Sequence, residues 1–377
     1  MTLTARFVLL AISALVLSAI AALPGGTLID TAQAQDTHNA PVVIDGMDLT
    51  DQVYEEAPYP IAPENYPNWR DDMREIINTL SEFARAQNPD FITLLRGGVF
   101  LATMSQRELD VATLAQPDGV PLPPSALRQV GAFERRFLRN VSGFVMEDLY
   151  CRETGRERPD AEIRRRLLQE SKVLISLEHC NTPAEAAEAI GLGATDRVLV
   201  AAGTDGDGVF DELPALEPFM TNAKSIQEPD RATNVFAMLS SRRFARKDDW
   251  IGAMTLLNHD ILIVDPFFNG DIPLDVDDVE RLKYKFIGAR RQVIARLTVG
   301  FAEDTRYYWQ SDWTVGNPPF LTGFLPGNDG TYWVDYRNQQ WREIVGATYA
   351  GLMALGFDGV MLDGIAVVFR DEAMTPL

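Results

Sequence analysis

The sequence predicts a (β/α)8 barrel, and three observations carry that prediction. Eight short apolar runs are spaced along the chain, at 91–95, 141–146, 173–177, 197–202, 234–239, 261–264, 292–299 and 359–362. Near-continuous apolar runs of this length fit parallel strands covered on both faces. Helical segments separate most of them, and alternation of strand with helix implies a parallel sheet. The 377 residues are long for one domain but suit a barrel of ~250 residues with insertions. A doubly wound open sheet is the alternative architecture. No internal repeat is visible.

Taken in order, residues 1–34 read as a secretory signal. Arg6 is the positive flank, Phe7 to Leu23 an uncharged apolar run, and Ala32-Gln33-Ala34 a small-x-small cleavage site. An uncleaved anchor is the alternative, since the run is near the lower length for a span. Cleavage implies a mature chain starting near Gln35, secreted or periplasmic, with no later run of membrane length. Residues 35–68 contain EEAPYPIAPENYPNW, whose prolines exclude a regular helix or a central strand. They are expected to form an extended arm, ordered near Tyr54 to Trp69, with Tyr54 to Tyr66 bordering the cleft. The barrel domain then covers 69–377.

Trp69 to Gln87 is the first helix, amphipathic, with Met73, Ile76, Ile77, Leu80 and Phe83 on one side. Further helices are expected at 125–140, 159–169, 182–192 (opened by Thr-Pro) and 277–288. The strands end in polar or small residues: Arg96-Gly97-Gly98, Glu147-Asp148, Glu178-His179, Gly203, Asp265, Gly300 and Asp363. In (β/α) folds the carboxyl ends of the strands face the ligand.

Composition narrows the function. The formal charge of −20 opposes nucleic acid and anionic membrane surfaces and suits a neutral or cationic ligand. Two cysteines, Cys151 and Cys180, follow the acids that end two neighbouring strands, so in an oxidising compartment they can pair. With only three histidines (His38, His179, His259) a zinc site is not indicated. G-x-S-x-G and the P-loop are absent, and no cofactor is called for. Asp205-Gly206-Asp207-Gly208 with Asp211-Glu212 matches a calcium loop only in part. Val209 stands at the third acidic position, which favours an acidic turn.

Three stretches carry a family resemblance: GARRQVIARLTVGFAEDTRYYW (288–309), TYWVDYRNQQW (331–341) and GFDGVMLDGI (356–365). Together they resemble the polygalactosaminidase-like glycoside hydrolases, glycoside hydrolase family 114 and its bacterial relatives, which are (β/α)8 barrels. ILIVDPF (261–267) is similar to their second strand. The pieces that the family places later, ARAQNPDF (84–91), VMEDLYC (145–151) and ISLEHC (175–180), here come first. The chain thus looks like a circular permutant, with the strand at 234–239 first in fold order. Trp69 to Gln87 would then supply the helix that follows the strand ending at Asp363. Permutation is tolerable because the termini of a domain usually lie close together.

The resemblance implies an endo-acting glycosidase on an amino-sugar polysaccharide. Glycoside cleavage needs one carboxyl kept protonated for the leaving group and one ionised as nucleophile or base. The resemblance maps this pair to Glu147 as general acid and Asp363 as nucleophile or base, or the reverse. Asp265, Glu178 and Glu303 are candidates for binding sugar hydroxyls or amines. Arg306, Tyr308 and Trp309 match a family segment that serves as substrate contact or as buried support.

The stretch between the last two strands holds Trp309, Trp313, Phe320, Tyr332, Trp333, Tyr336 and Trp341. It reads either as a sugar-stacking platform or as packing of the insertion. Three positions depart from the family pattern. Ile365-Ala366-Val367 are apolar where a polar residue often follows the catalytic Asp, Gly300-Phe301 replaces Gly-Glu, and Arg96-Gly97-Gly98 replaces a Gln-Asn-Gly end. A non-catalytic saccharide-binding barrel is therefore the second reading.

Overall fold

All eight apolar runs become strands of one parallel sheet. The structure, a computed structural model, describes residues 43–44, 47–48, 61–62, 65–117, 120–123, 128–152, 159–204 and 209–377. The chain divides into Met1–Thr37 and His38–Leu377. The first unit, the expected signal and nearly all of the expected arm, including 54–60 of the stretch expected to border the cleft, lie outside the described residues. Of the arm, residues 61–62 and 65–68 are described, as is an antiparallel pair of two-residue strands, Val43–Ile44 and Met47–Asp48.

The strands are β1 (Ile92–Arg96), β2 (Gly143–Glu147), β3 (Val173–His179), β4 (Leu199–Gly203), β5 (Val235–Met238), β6 (Ile261–Val264), β7 (Gln292–Thr298) and β8 (Gly359–Asp363). Their hydrogen-bonded order is β4-β3-β2-β1-β8-β7-β6-β5. β4 and β5 also lie side by side but share no ladder. The sheet is a nearly closed TIM-like barrel with one unbonded seam, and the doubly wound alternative is set aside. β8 pairs with β1 from Gly359↔Ile92 to Leu362↔Leu95, as the sequence reading required. This cyclic order is the same wherever a chain enters a barrel, so it carries no mark of permutation.

Side chains alternate along each strand. Ile92, Leu94, Val145, Ile175, Leu177, Ala237, Ile263, Ile294 and Met361 fill the barrel. Leu95, Phe144, Leu174, Phe236, Leu262, Val293, Val360 and Leu362 face outward into the layer shared with the helices. Those helices are α1 (Trp69–Gln87), α2 (Gln106–Leu114), α3 (Arg135–Asn140), α4 (Ala161–Gln169), α5 (Pro183–Asp196), α6 (Lys247–Thr255), α7 (Val276–Leu282), α8 (Gln339–Ala354) and α9 (Val367–Met374). Among the described residues no α-helix lies between β4 and β5.

α1 starts on an Asn68 cap, whose side chain accepts from the Asp71 amide, with Asp71 and Asp72 favourably placed in its first turn. Met73, Ile76, Ile77 and Leu80 are buried in the outer layer with Val360, Leu362 and Leu95, as expected. Phe83 is not: it is 47% exposed, and Ala84 takes the last buried position of the stripe. The two ends of the barrel domain meet here. Trp69 Nε1 donates to Thr375 Oγ1 at 2.8 Å, Arg70 pairs with Glu372 at 2.8 Å, and Tyr336 donates its hydroxyl to the Trp69 carbonyl at 2.9 Å.

Several helix expectations are corrected. A helix does follow β8 directly, the short α9. Of 125–140, only Arg135–Asn140 is helical among the described residues. The helix expected at 277–288 stops at Leu282, because Lys285 turns inward to meet Asp260, Nζ to Oδ1 2.6 Å, both fully buried. Helices α2, α6 and α8 were not anticipated.

Candidate active site

The alternation that fills the barrel also decides which strand-end residues look into its mouth. On β1, Ile92 and Leu94 face in, so Arg96 does too. By the same count Glu147 on β2, Arg296 on β7, Asp265 just past β6 and Asp363 on β8 point inward. Glu178 does not. Its neighbours Leu177 and His179 hold the inward positions of β3, and its fully buried carboxylate turns to the chain after β2. There it accepts from the amides of Leu149 (2.8 Å), Tyr150 (3.0 Å) and Cys151 (2.9 Å), and from the Ser176 hydroxyl.

This makes Glu178 a clamp on the segment that follows Glu147. A second clamp is the disulfide Cys151–Cys180, with Cα atoms 5.1 Å apart, in agreement with the expected pairing. A third is Asp148, whose backbone is left-handed (φ 49°) and whose carboxylate accepts from the His179 amide (3.0 Å) and meets its Nδ1 (2.8 Å). Three contacts between the ends of β2 and β3 thus fix where Glu147 points.

The mouth is a chain of alternating charge. Arg96 donates from Nε to Glu147 and from Nη1 to Asp363 Oδ2 at 3.0 Å. Arg296 donates from Nε to the same Oδ2 at 2.7 Å, and from Nη1 to Glu303 Oε1 at 3.1 Å and Asp265 Oδ2 at 3.3 Å. Arg306 grips Asp265 with both terminal nitrogens, at 2.8 and 2.6 Å, and pairs with Glu303. The expected residues Asp363, Glu147, Asp265, Glu303 and Arg306 are therefore brought together. Arg96 and Arg296, not expected in the site, are what join them.

Electrostatics follow from that count. Burial alone would raise the Asp363 carboxyl, but Arg96 and Arg296 outweigh it and hold it down at about 2. Burial likewise opposes the charge on Arg296, yet Glu303, Asp363 and Asp265 keep it protonated far above any working pH. Asp363 is seated by a backbone contact as well. Its Oδ1 accepts from the Gly364 amide at 2.8 Å, and a Cβ on Gly300 would lie 1.9 Å from the Gly364 carbonyl oxygen, so only glycine fits there.

The aromatic stretch divides. Trp313, Phe320, Trp333, Tyr336 and Trp341 are buried around a three-stranded antiparallel sheet (301–303, 331–334, 321–324), which makes them packing rather than platform. Trp341 Nε1 donates to the Val299 carbonyl at 2.9 Å. Tyr308 is support too: burial pushes its hydroxyl pKa up, and that hydroxyl accepts from the Glu303 amide. Trp309 packs on Tyr332 with ring centres 4.7 Å apart, and Tyr332 on Phe324, which is 60% exposed. Tyr307 is also exposed and stacks on Phe267.

Two hollows open at the mouth. A crevice of about 20 Å³ lies at Arg96, Glu147 and Asp363. A polar cleft of about 440 Å³ lies above β5 to β7, lined by Ser240, Arg242, Asp265, Arg296, Glu303 and Arg306 among others. A cavity of about 490 Å³ lies elsewhere, at the β4–β5 seam. Residues 205–208 of the acidic turn lie outside the described residues, and Asp211 is buried against Arg242 and Arg243.

No family model matches the chain. Similar chains include an uncharacterized protein of Deinococcus radiodurans, 35% identical over 113 residues, which are 30% of this chain and 35% of that one. Another, from Methanocaldococcus jannaschii, is 29% identical over 171 residues, 42% of this chain and 46% of that one. A third, from Thermotoga maritima, is 36% identical over 72 residues, 19% and 22% of the two chains. The matched stretches thus span less than half the length of each relative.

Proposed function

We propose that this chain is an exported glycoside hydrolase that cleaves an amino-sugar polysaccharide with Asp363 and Glu147. The observation that carries this reading is that both carboxylates end inward-facing positions of β8 and β2 and bind one guanidinium, Arg96, on the strand between them. Asp363, ionised at any working pH, has the properties of a nucleophile or base. Glu147 then carries the proton to the leaving group, and Arg96 releases it as the sugar enters. Asp265, Glu303, Arg306 and the polar cleft beside them supply contacts for sugar hydroxyls or amines. The resemblance to family 114 supports the same residues and, with it, the circular permutation. The charge of −20 favours a cationic polymer.

A second reading is a saccharide-binding barrel without catalysis. It is favoured by Arg96, which neutralises both acids where the family pattern has a neutral polar end. A reducing-end assay on a panel of amino-sugar polymers, wild type beside Asp363→Asn, separates the two. Hydrolysis by the wild type that falls about 10²–10⁴-fold in the variant supports the enzyme. Binding of a polymer without hydrolysis supports the second reading, and neither binding nor hydrolysis rejects both.

A further inference from the structure

The barrel has one side that differs from the rest. β4 and β5 share no ladder, and among the described residues no α-helix lies between them in the chain. In place of a helix, the segment 214–220 forms a wall across the seam. It is tied down: Asn234 Nδ2 donates to the Phe219 carbonyl at 2.7 Å, and the Thr233 hydroxyl to the Met220 carbonyl at 3.4 Å. Between this wall and α5 lies the cavity of about 490 Å³, lined by apolar groups such as Ile190, Val200, Leu216 and Phe236. That volume is within the ~300–1,000 Å³ of sites for small molecules, and polar and charged groups share the lining with the apolar ones.

One polar group in the lining is out of keeping with ordinary packing. His259 is 5% exposed, its ring lies 5.3 Å from that of Phe236, and its Nδ1 is buried with no hydrogen-bond partner. A buried imidazole without a partner loses about 1–3 kcal/mol relative to a satisfied one. Burial, aided by the nearby Arg291, keeps this ring neutral, with its pKa lowered to about 3. A neutral imidazole offers one donor and one acceptor and no charge. Its neighbour Asp260 is already taken by Lys285, Asn222 and Thr233. The charged groups of the lining are three cations, Lys172, Arg197 and Arg231, and two anions, Glu217 and Asp230, a near balance that gives little preference for an ion.

We propose that the seam cleft binds a small uncharged molecule, mostly apolar and aromatic in size, with one polar group that completes the hydrogen bonding of His259. This site is independent of the carboxylates at the mouth and of any reading of them.

The test is a fluorescence titration of the full chain with the neutral naphthalene ketone 6-propionyl-2-dimethylaminonaphthalene, whose carbonyl can accept from an imidazole N–H. The expected result is saturable binding of one molecule per chain with blue-shifted emission. Ala194→Trp, at an exposed position of α5 that borders the cleft, should weaken it about tenfold or more by filling the space. Met220→Glu, on the exposed wall, should also weaken it, and His259→Phe should weaken it by a smaller factor while keeping the ring. Phe324→Ser, a distant exposed aromatic, should leave it unchanged. Thermal melts identify any variant that has lost its fold. Absence of saturable binding to the full chain overturns the proposal. So does binding that survives both Ala194→Trp and Met220→Glu, or that disappears with Phe324→Ser.

Discussion

Asp363 at the barrel mouth and Asp371 on α9 are both buried aspartates with an arginine beside them, yet their protons behave oppositely. Asp363 is held at about 2. Asp371 is pushed up to about 7, chiefly by burial, against which Arg370 gives only partial relief and Asp335 adds repulsion. Each has two arginines that favour its charged form, Arg370 and Arg337 for Asp371, so the difference is in their placement. Two guanidiniums from β1 and β7 converge on one oxygen of Asp363, and the Gly364 amide takes the other. Asp371 has one side-chain contact, to the adjacent Arg370 at 3.2 Å. Burial penalises the charged form in both places, and only converging donors reverse it. Near neutral pH the fold thus holds a full negative charge at the mouth and only a partial one on the helix.

The contrast has a pH signature with opposite signs. Asp363 has a folded pKa below its ordinary value of 3.8, so its contribution to stability is present above about 4 and is lost as pH falls toward 2. Asp371 has a folded pKa above 3.8, so its contribution is present below about 4 and is lost as pH rises through 7. The largest stability effect is therefore expected from Asp371→Asn, which keeps the neutral form at every pH. It should raise stability at pH 8 by roughly 2–4 kcal/mol and leave it nearly unchanged at pH 4, read from denaturant unfolding at both values. A variant no more stable at pH 8 would show that burial does not penalise the Asp371 carboxylate.

Next in size is Gly300→Ala, which sets a methyl against the Gly364 carbonyl beneath Asp363. It should cost about 1–3 kcal/mol by thermal unfolding, and an unchanged melting temperature would show that the seat of Asp363 is loose. Arg96→Met removes one of the two cations on Asp363. Its carboxyl should titrate about one unit higher, seen by carbon NMR of labelled aspartate, and no change would assign the whole effect to Arg296. Phe83→Ser should change stability by less than about 0.5 kcal/mol, because that ring projects from α1 into solvent.

The strands were legible because parallel strands covered on both faces read as apolar runs, and all eight lie where those runs are. The unanticipated helices fail that test for physical reasons. α9 opens within Ile365-Ala366-Val367-Val368-Phe369, which reads as a continuing strand, and α8 (QQWREIVGATYAGLMA) holds two glycines and several β-branched and aromatic residues of low helix propensity, although Trp341, Val345, Thr348, Tyr349 and Leu352 do share one buried face. Asp363, Glu147 and Asp265 could be found as acids at strand ends. Glu178 shows the limit of that rule: β3 runs on to His179, and a shift of one residue moves a side chain to the other face. The signal for Arg296 was there, since Ile294, Arg296 and Thr298 alternate with Val293, Ala295 and Leu297. A lone arginine inside an apolar strand has to face somewhere polar. Arg96 stood out only as a departure from a family pattern, and what it bridges depends on strands that are distant in sequence.

The proposed hydrolysis requires Asp363 and Glu147 to flank a glycosidic bond. Its most direct test is a crystal structure of the Asp363→Asn variant soaked with a galactosamine oligomer. The expected result is the oligomer across the mouth, with a glycosidic oxygen within hydrogen-bonding distance of Glu147, Arg96 withdrawn from that carboxylate, and the adjoining sugar ring over position 363. An oligomer seated away from the mouth, on the Phe324–Tyr332 surface or in the seam cleft, with the Arg96–Glu147 pair intact, would contradict it.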